Sequence, residues 1–212
     1  MKKRSKSIMI MIAAVVLAVS VLTGCSSTPT EKDAKAYVQA VLDMMCKGDY
    51  DHSVNIVDIE KGEEGNFREE AVDEAIDSMG IDFDDETRAR FKEIMLNAFS
   101  KSKYTVGNAT KTGEGEYDVE VTIEPLKIGS SDQEELNKRI SALDTSSMTE
   151  EEYTKQVYGI LLDIMEESVN NPVYGEPQTT TVHYGLLDEK NKVYGVSEED
   201  GNKLGTMLFY AE

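Results

Sequence analysis

The segment EYDVEVTIE, Glu116 to Glu124, alternates Tyr117, Val119, Val121 and Ile123 with four acids and Thr122. Successive side chains of a strand point to opposite faces, so this period of two describes a strand with one dry and one wet face. Upstream, YTVGNA (Tyr104 to Ala109) reads as a second strand. TKTGEGE (Thr110 to Glu116) reads as the turn between them, which makes the two a hairpin. Downstream, QTTTVHYGLL (Gln178 to Leu187), the turn DEKN and the run KVYGV (Lys192 to Val196) repeat the strand, turn, strand pattern. The expectation is an antiparallel sheet of about four strands.

The period around this sheet is helical. Thr30 and Asp33 form a capping-box pattern, after which Ala34, Tyr37, Val38, Val41, Leu42 and Met45 share one helical face, with Gly48 as a stop. Asp49 opens a short helix through Val57, followed by the acidic loop EKGEEGN. Ala71, Val72, Ala75, Ile76 and Met79 make a third stripe ended by Gly80. Asp84 or Asp85 opens a fourth, with Phe91, Ile94, Met95, Ala98 and Phe99 inward. Between the hairpins, residues 131–170 read as a helical pair. Ser131 opens a helix through Leu136, Ile140 and Leu143, and Thr149 opens one with Tyr153, Val157, Leu161, Ile164, Met165 and Val169 inward. Ser197 caps a terminal helix whose Gly201 and Gly205 suit close packing on the sheet. The class is α+β, with N-terminal helices packed on the sheet, a helical insertion and a C-terminal helix. Residues 31–212 read as a single domain.

The N-terminus is of another kind. MKKRSK carries four cations and no acid, and Ile8 to Leu22 carries no charge. As a helix at ~1.5 Å per residue, that run reaches about 22 Å, short of a ~30 Å hydrocarbon core, which favours a processed signal peptide over residues 1–24. Leu22, Thr23, Gly24 and Cys25 resemble the lipobox of bacterial lipoproteins. The resemblance implies cleavage before Cys25 and diacylation of its sulfur, with the membrane as partner through that lipid. Residues 25–30 are then the lipidated cysteine and a short tether, and the expected location is the extracytoplasmic face of the cell membrane. Two acyl chains anchor stably where one does not.

Two blocks carry a second resemblance. AKAYVQAVLDMMCKGDYDHSV (Ala34 to Val54) and TTTVHYGLLDEKNKVYGVSEEDGNKLGTMLF (Thr179 to Phe209) are similar to small lipoproteins of Gram-positive bacteria that carry a domain of unknown function. That resemblance implies a cystatin-like or nuclear-transport-factor-like cone, a curved antiparallel sheet wrapped over helices. Tyr194 stands where the group's last strand often has tryptophan, and the pair over 131–170 is longer than a minimal cone requires.

Loss of the signal's four cations takes the formal net charge from −19 to −23, which opposes nucleic-acid binding and close approach to anionic lipid. With Cys25 acylated, Cys46 has no disulfide partner and reads as a buried structural thiol. The two histidines, His52 and His183, lack a second ligand at metal spacing, and DFDDE (Asp82 to Glu86) lacks the glycine of a calcium loop. No metal or cofactor is expected. Neither a nucleophile elbow nor a phosphate-binding glycine loop is present in the sequence. Tyr117 and Tyr184 occupy strand positions that face the helices, as core residues or as lining of a cavity. The reading is a noncatalytic lipoprotein that binds a protein partner or ligand at the cell envelope. The alternatives are a cone-fold enzyme using tyrosine and a buried carboxylate of raised pKa, or a structural envelope component.

Overall fold

A computed structural model of the chain describes residues 28–50, 67–128, 133–190 and 192–210. The signal segment, Leu22 to Cys25, His52, the helix expected through Val57, the EKGEEGN loop and the Ser131 cap lie outside the described residues.

The fold is α+β, with an open four-stranded antiparallel sheet in the order β1-β2-β4-β5. Its strands are β1 (Lys103–Gly113), β2 (Glu116–Glu124), β4 (Gln178–Asp188) and β5 (Val193–Val196). In β2 the alternation holds residue by residue: Tyr117, Val119, Val121 and Ile123 are buried, and the acids and Thr122 are not. The pairs Val106↔Val121 and Val119↔Val182 carry the dry face across three strands. The β1–β2 turn is tighter than TKTGEGE suggests. Pairing runs on through Thr110↔Asp118, Lys111↔Tyr117 and Gly113↔Glu116, which leaves Glu114 and Gly115 as a two-residue loop. Gly115 supplies the positive φ, 76°, that such a loop requires.

Six helices are described: α1 (Glu31–Lys47), α2 (Phe67–Ser78), α3 (Asp85–Ser100), α4 (Gln133–Ser141), α5 (Glu150–Asn170) and α6 (Glu198–Leu208). Thr30 and Asp33 close the capping box of α1, and Gly48 ends it in the left-handed region at φ 65°. Asp84, Thr149 and Ser197 cap α3, α5 and α6. Helix α1 lies on β1, β2 and β5, α3 packs on α1, and α2 and α5 pack on α3. Leu42, Met44, Met45, Met95 and Phe99 fill this junction, each under 2 % exposed. Fully burying one such side chain stabilises by roughly 1.5–3 kcal/mol.

The helical pair is less embedded than its apolar stripe suggests. Leu162, Ile164, Met165 and Val169 are buried, but Tyr153, Val157 and Leu161 are half-buried, as are Leu136, Ile140 and Leu143. The second half of α5 packs on α3, held by Arg90 to Asp163 (2.7 Å) and Glu166 (2.6 Å). A second small sheet, unforeseen from the sequence, pairs β3 (Leu126–Lys127) in parallel with β6 (Phe209–Tyr210).

Candidate functional site

Helix α1 ends where β1 begins, and the junction is polar within an apolar frame. Asp43 is the one acid in the run Ala40 to Cys46, and it points to the start of β1. Tyr104 Oη donates to Asp43 Oδ1 at 2.6 Å, Gln39 Nε2 donates to Oδ2 at 2.9 Å, and Lys47 Nζ lies 2.6 Å from Oδ1. Burial pushes the Asp43 carboxyl up, but the hydrogen bonds from Lys47, Tyr104 and Gln39 outweigh it and hold the group below the ordinary carboxylate range. Burial and the hydrogen bond to Asp43 push the Tyr104 phenol well above its usual value. Across the neutral range one group is therefore fixed as acceptor and the other as donor.

An open groove of about 230 Å³ lies beside this pair, lined by Lys47, Lys103, Tyr104, Thr122 and Glu124, with Ser102 and Thr105. Lys103 is held 3.6 Å from Glu124 and 3.8 Å from the centroid of the Tyr174 ring. The wet face of the sheet continues from the groove. Thr105, Thr122 and Thr179 align across three strands, with the Thr122 and Thr179 hydroxyls 2.9 Å apart.

Tyr117 and Tyr184 lie at the other end of the sheet. They are directly paired across β2 and β4 and both belong to the core, at 6 % and 4 % exposure. Tyr184 packs against Tyr37 (centroids 5.2 Å apart) and Tyr194 (6.4 Å), so Tyr194 joins an aromatic cluster at the position where the resembled group often has tryptophan. Tyr117 Oη donates to the Pro29 carbonyl at 3.2 Å. The structure brings these two tyrosines together but away from the groove.

His183 Nδ1 lies 3.0 Å from Asp118 Oδ1 on the wet face, both side chains about half exposed. Cys46 is 1 % exposed and faces Ser102; burial pushes its thiol up to about 12. Among the described residues, no cluster of histidine, cysteine and carboxylate side chains could hold a metal ion. Asp84, in the acidic DFDDE stretch, caps α3 through the Thr87 amide at 2.7 Å and pairs with Lys155 at 2.8 Å.

No protein-family model matches the chain, and no curated protein matches it. Among solved structures, ycdA of Bacillus subtilis, a proposed lipoprotein, is similar in fold. The TM-score is 0.61 at 18% identity, covering 84% of this chain. The chain spans 56% of the length of ycdA. At that identity the likeness is one of fold.

No sequence motif joins Asp43, Tyr104 and Lys47, but the sequence carries one signal of the site. A single acid between Leu42 and Met44, on a helix otherwise apolar there, must find partners if it is to be buried.

Proposed function

We propose that the chain is a membrane-anchored lipoprotein of the cell envelope, lipidated at Cys25, that binds another envelope protein without catalysing a reaction. The observation that carries the anchor is the position of the fold relative to that cysteine. Pro29 is already buried, and α1 is capped at Thr30, five residues after Cys25. The lipobox resemblance and the fold shared with ycdA support the same reading, and among the described residues no helix is long and apolar enough to cross a membrane.

The groove supports binding. At about 230 Å³ it is below the ~300 Å³ lower end of small-molecule pockets, so it suits one side chain of a larger partner. Its cations, acid and hydroxyls favour a polar or charged side chain. A tyrosine and carboxylate enzyme would need a carboxyl held above its usual range, and Asp43 is shifted the opposite way.

Replacing Cys25 by alanine tests the anchor. In cells fed a clickable fatty acid, the wild-type protein should take the label and pellet with membranes, and the variant should do neither. Label retained on the variant would overturn the anchor. For binding, a partner fragment at ~100 times its Kd should stabilise the protein by about 2.7 kcal/mol, and Glu124→Ala with Lys103→Ala should remove that gain.

A further inference from the structure

The anchor reading leaves open which end of the domain meets the bilayer. We infer that the end carrying the β1–β2 turn and the β4–β5 hairpin faces the membrane, with Leu186 and Leu187 against the lipid surface. This orientation rests on lipidation of Cys25, and four observations give it.

The first is where the described chain starts. A Cβ at Gly115 would lie 3.1 Å from Thr28 Cγ2, 3.2 Å from Pro29 Cδ and 2.9 Å from Tyr194 Cε1, so Thr28 and Pro29 are seated on the β1–β2 turn. Tyr117 holds the Pro29 carbonyl from below. Three residue steps of ~3.8 Å separate Thr28 from Cys25, so the Cys25 Cα lies within about 11 Å of the Thr28 Cα, and its acylated side chain enters the bilayer close to this turn.

The second is the exposed apolar surface. Among the described residues, the exposed large hydrophobic side chains are Val173 at 59 %, Leu186 at 36 % and Leu187 at 46 %. The two leucines are consecutive, at a register shift in β4 just before its turn into β5. The turns at Glu114 and at Glu189 lie at one end of the sheet, because β2 and β4 are antiparallel with Tyr117 opposite Tyr184. Val173 is at the far end, where its carbonyl accepts from Lys127 N.

The third is charge. The protein as a whole is strongly acidic, but in the hairpin tip Asp188 and Glu189 are matched by Lys190 and Lys192. The neighbouring turn sets Lys111 against Glu114 and Glu116. The hairpin adds no net repulsion from anionic headgroups, and its lysines can reach them while the leucines enter the interface.

The fourth is the groove's position. It opens at Lys103 and Glu124, the opposite end of β1 and β2. A nine-residue strand spans about 30 Å, so this orientation turns the groove away from the lipid and toward the envelope.

The chain has no tryptophan, so one substitution gives a unique reporter. Leu186→Trp, Leu187→Trp and Val173→Trp are prepared as lipidated full-length protein. Each is reconstituted into phosphatidylglycerol and phosphatidylethanolamine vesicles with and without brominated acyl chains. Emission of the two hairpin variants should shift to the blue on reconstitution and be quenched by the brominated lipid, while that of Val173→Trp should change little. Having two hairpin variants guards against one that misfolds. Quenching of Val173→Trp above both, or of none while mass spectrometry shows diacylated Cys25, overturns the orientation and leaves the anchor standing. Absence of lipid on Cys25 removes both.

Discussion

Tyr104 Oη and Asp43 Oδ1, 2.6 Å apart, join the start of β1 to the end of α1. Asp43 titrates lower in the folded chain than in the unfolded one, so its contribution is present above about pH 4 and is lost as pH falls through the folded value. Tyr104 titrates higher when folded, so its contribution is present below about pH 10 and is lost as pH rises through the folded value. Between those limits Tyr104→Phe should cost about 1–2 kcal/mol, lowering the melting midpoint by about 2–8 °C. The gap between wild type and variant should narrow as the pH passes below the lower limit or above the upper one. Thermal melts across pH check this, and a gap of constant size would count against the pair.

Cys46 is buried and its thiol stays neutral, so a thiol reagent should reach it only when the core opens. In a chain carrying Cys25→Ala, so that Cys46 is the one thiol left, labelling should be slow until denaturant unfolds the protein. Phe99 is fully buried and sits edge-on to Phe209 at 4.9 Å. Phe99→Ala should cost about 3–5 kcal/mol and speed labelling by about 100-fold or more. Fast labelling of the native protein would mean that this helix junction opens locally.

Tyr117→Phe removes the hydrogen bond to Pro29 and little else, since the ring stays in the core. A stability loss of about 0.5–1.5 kcal/mol is expected. The more diagnostic readout is local: amide exchange at Thr28 and cleavage near it should rise more than exchange in β2. Equal changes at both places would show that Thr28 and Pro29 are not held by this contact.

Asp200 serves both α6 and the sheet. Its amide donates to Ser197 Oγ at 3.2 Å in the helix cap, and its Oδ2 accepts from His183 N at 3.0 Å along the side of β4. Ser197→Ala should cost about 1 kcal/mol. Asp200→Ala should cost at least as much, and it alone should release the His183 amide to exchange, which NMR would read directly.

Much of the sheet was legible because β2 is wet on one side and dry on the other. In β1 the same code is interrupted. Register shifts between Val106 and Ala109 and between Lys111 and Gly113 break the alternation, so the strand looked six residues long when it has 11. Helix ends were legible where side chains close them, at Thr30, Asp84, Thr149 and Ser197. The half-exposed helical pair was not, since an apolar stripe records what a helix could bury and its depth depends on neighbours far away in sequence. The groove was hidden for the same reason: Asp43 and Tyr104 are 61 residues apart and meet only once α1 lies on the sheet. Tyr117 and Tyr184 were legible as inward strand positions, and their pairing with each other came only with the register.

Helix α6 replaces a neighbouring strand along part of β4, with Asp200 accepting from His183 N and Lys203 donating to the Thr181 carbonyl. On the other side of the sheet, the two bulges of β1 spoil the even spacing that an incoming strand would need. A protein held at a surface is confined to two dimensions, where copies collide far more often than at the same abundance in solution. Crowding of that kind selects against any edge able to zip onto its twin, and under the lipid anchor proposed above the bulged β1 edge and the helix-covered stretch of β4 would let neighbouring copies slide past one another.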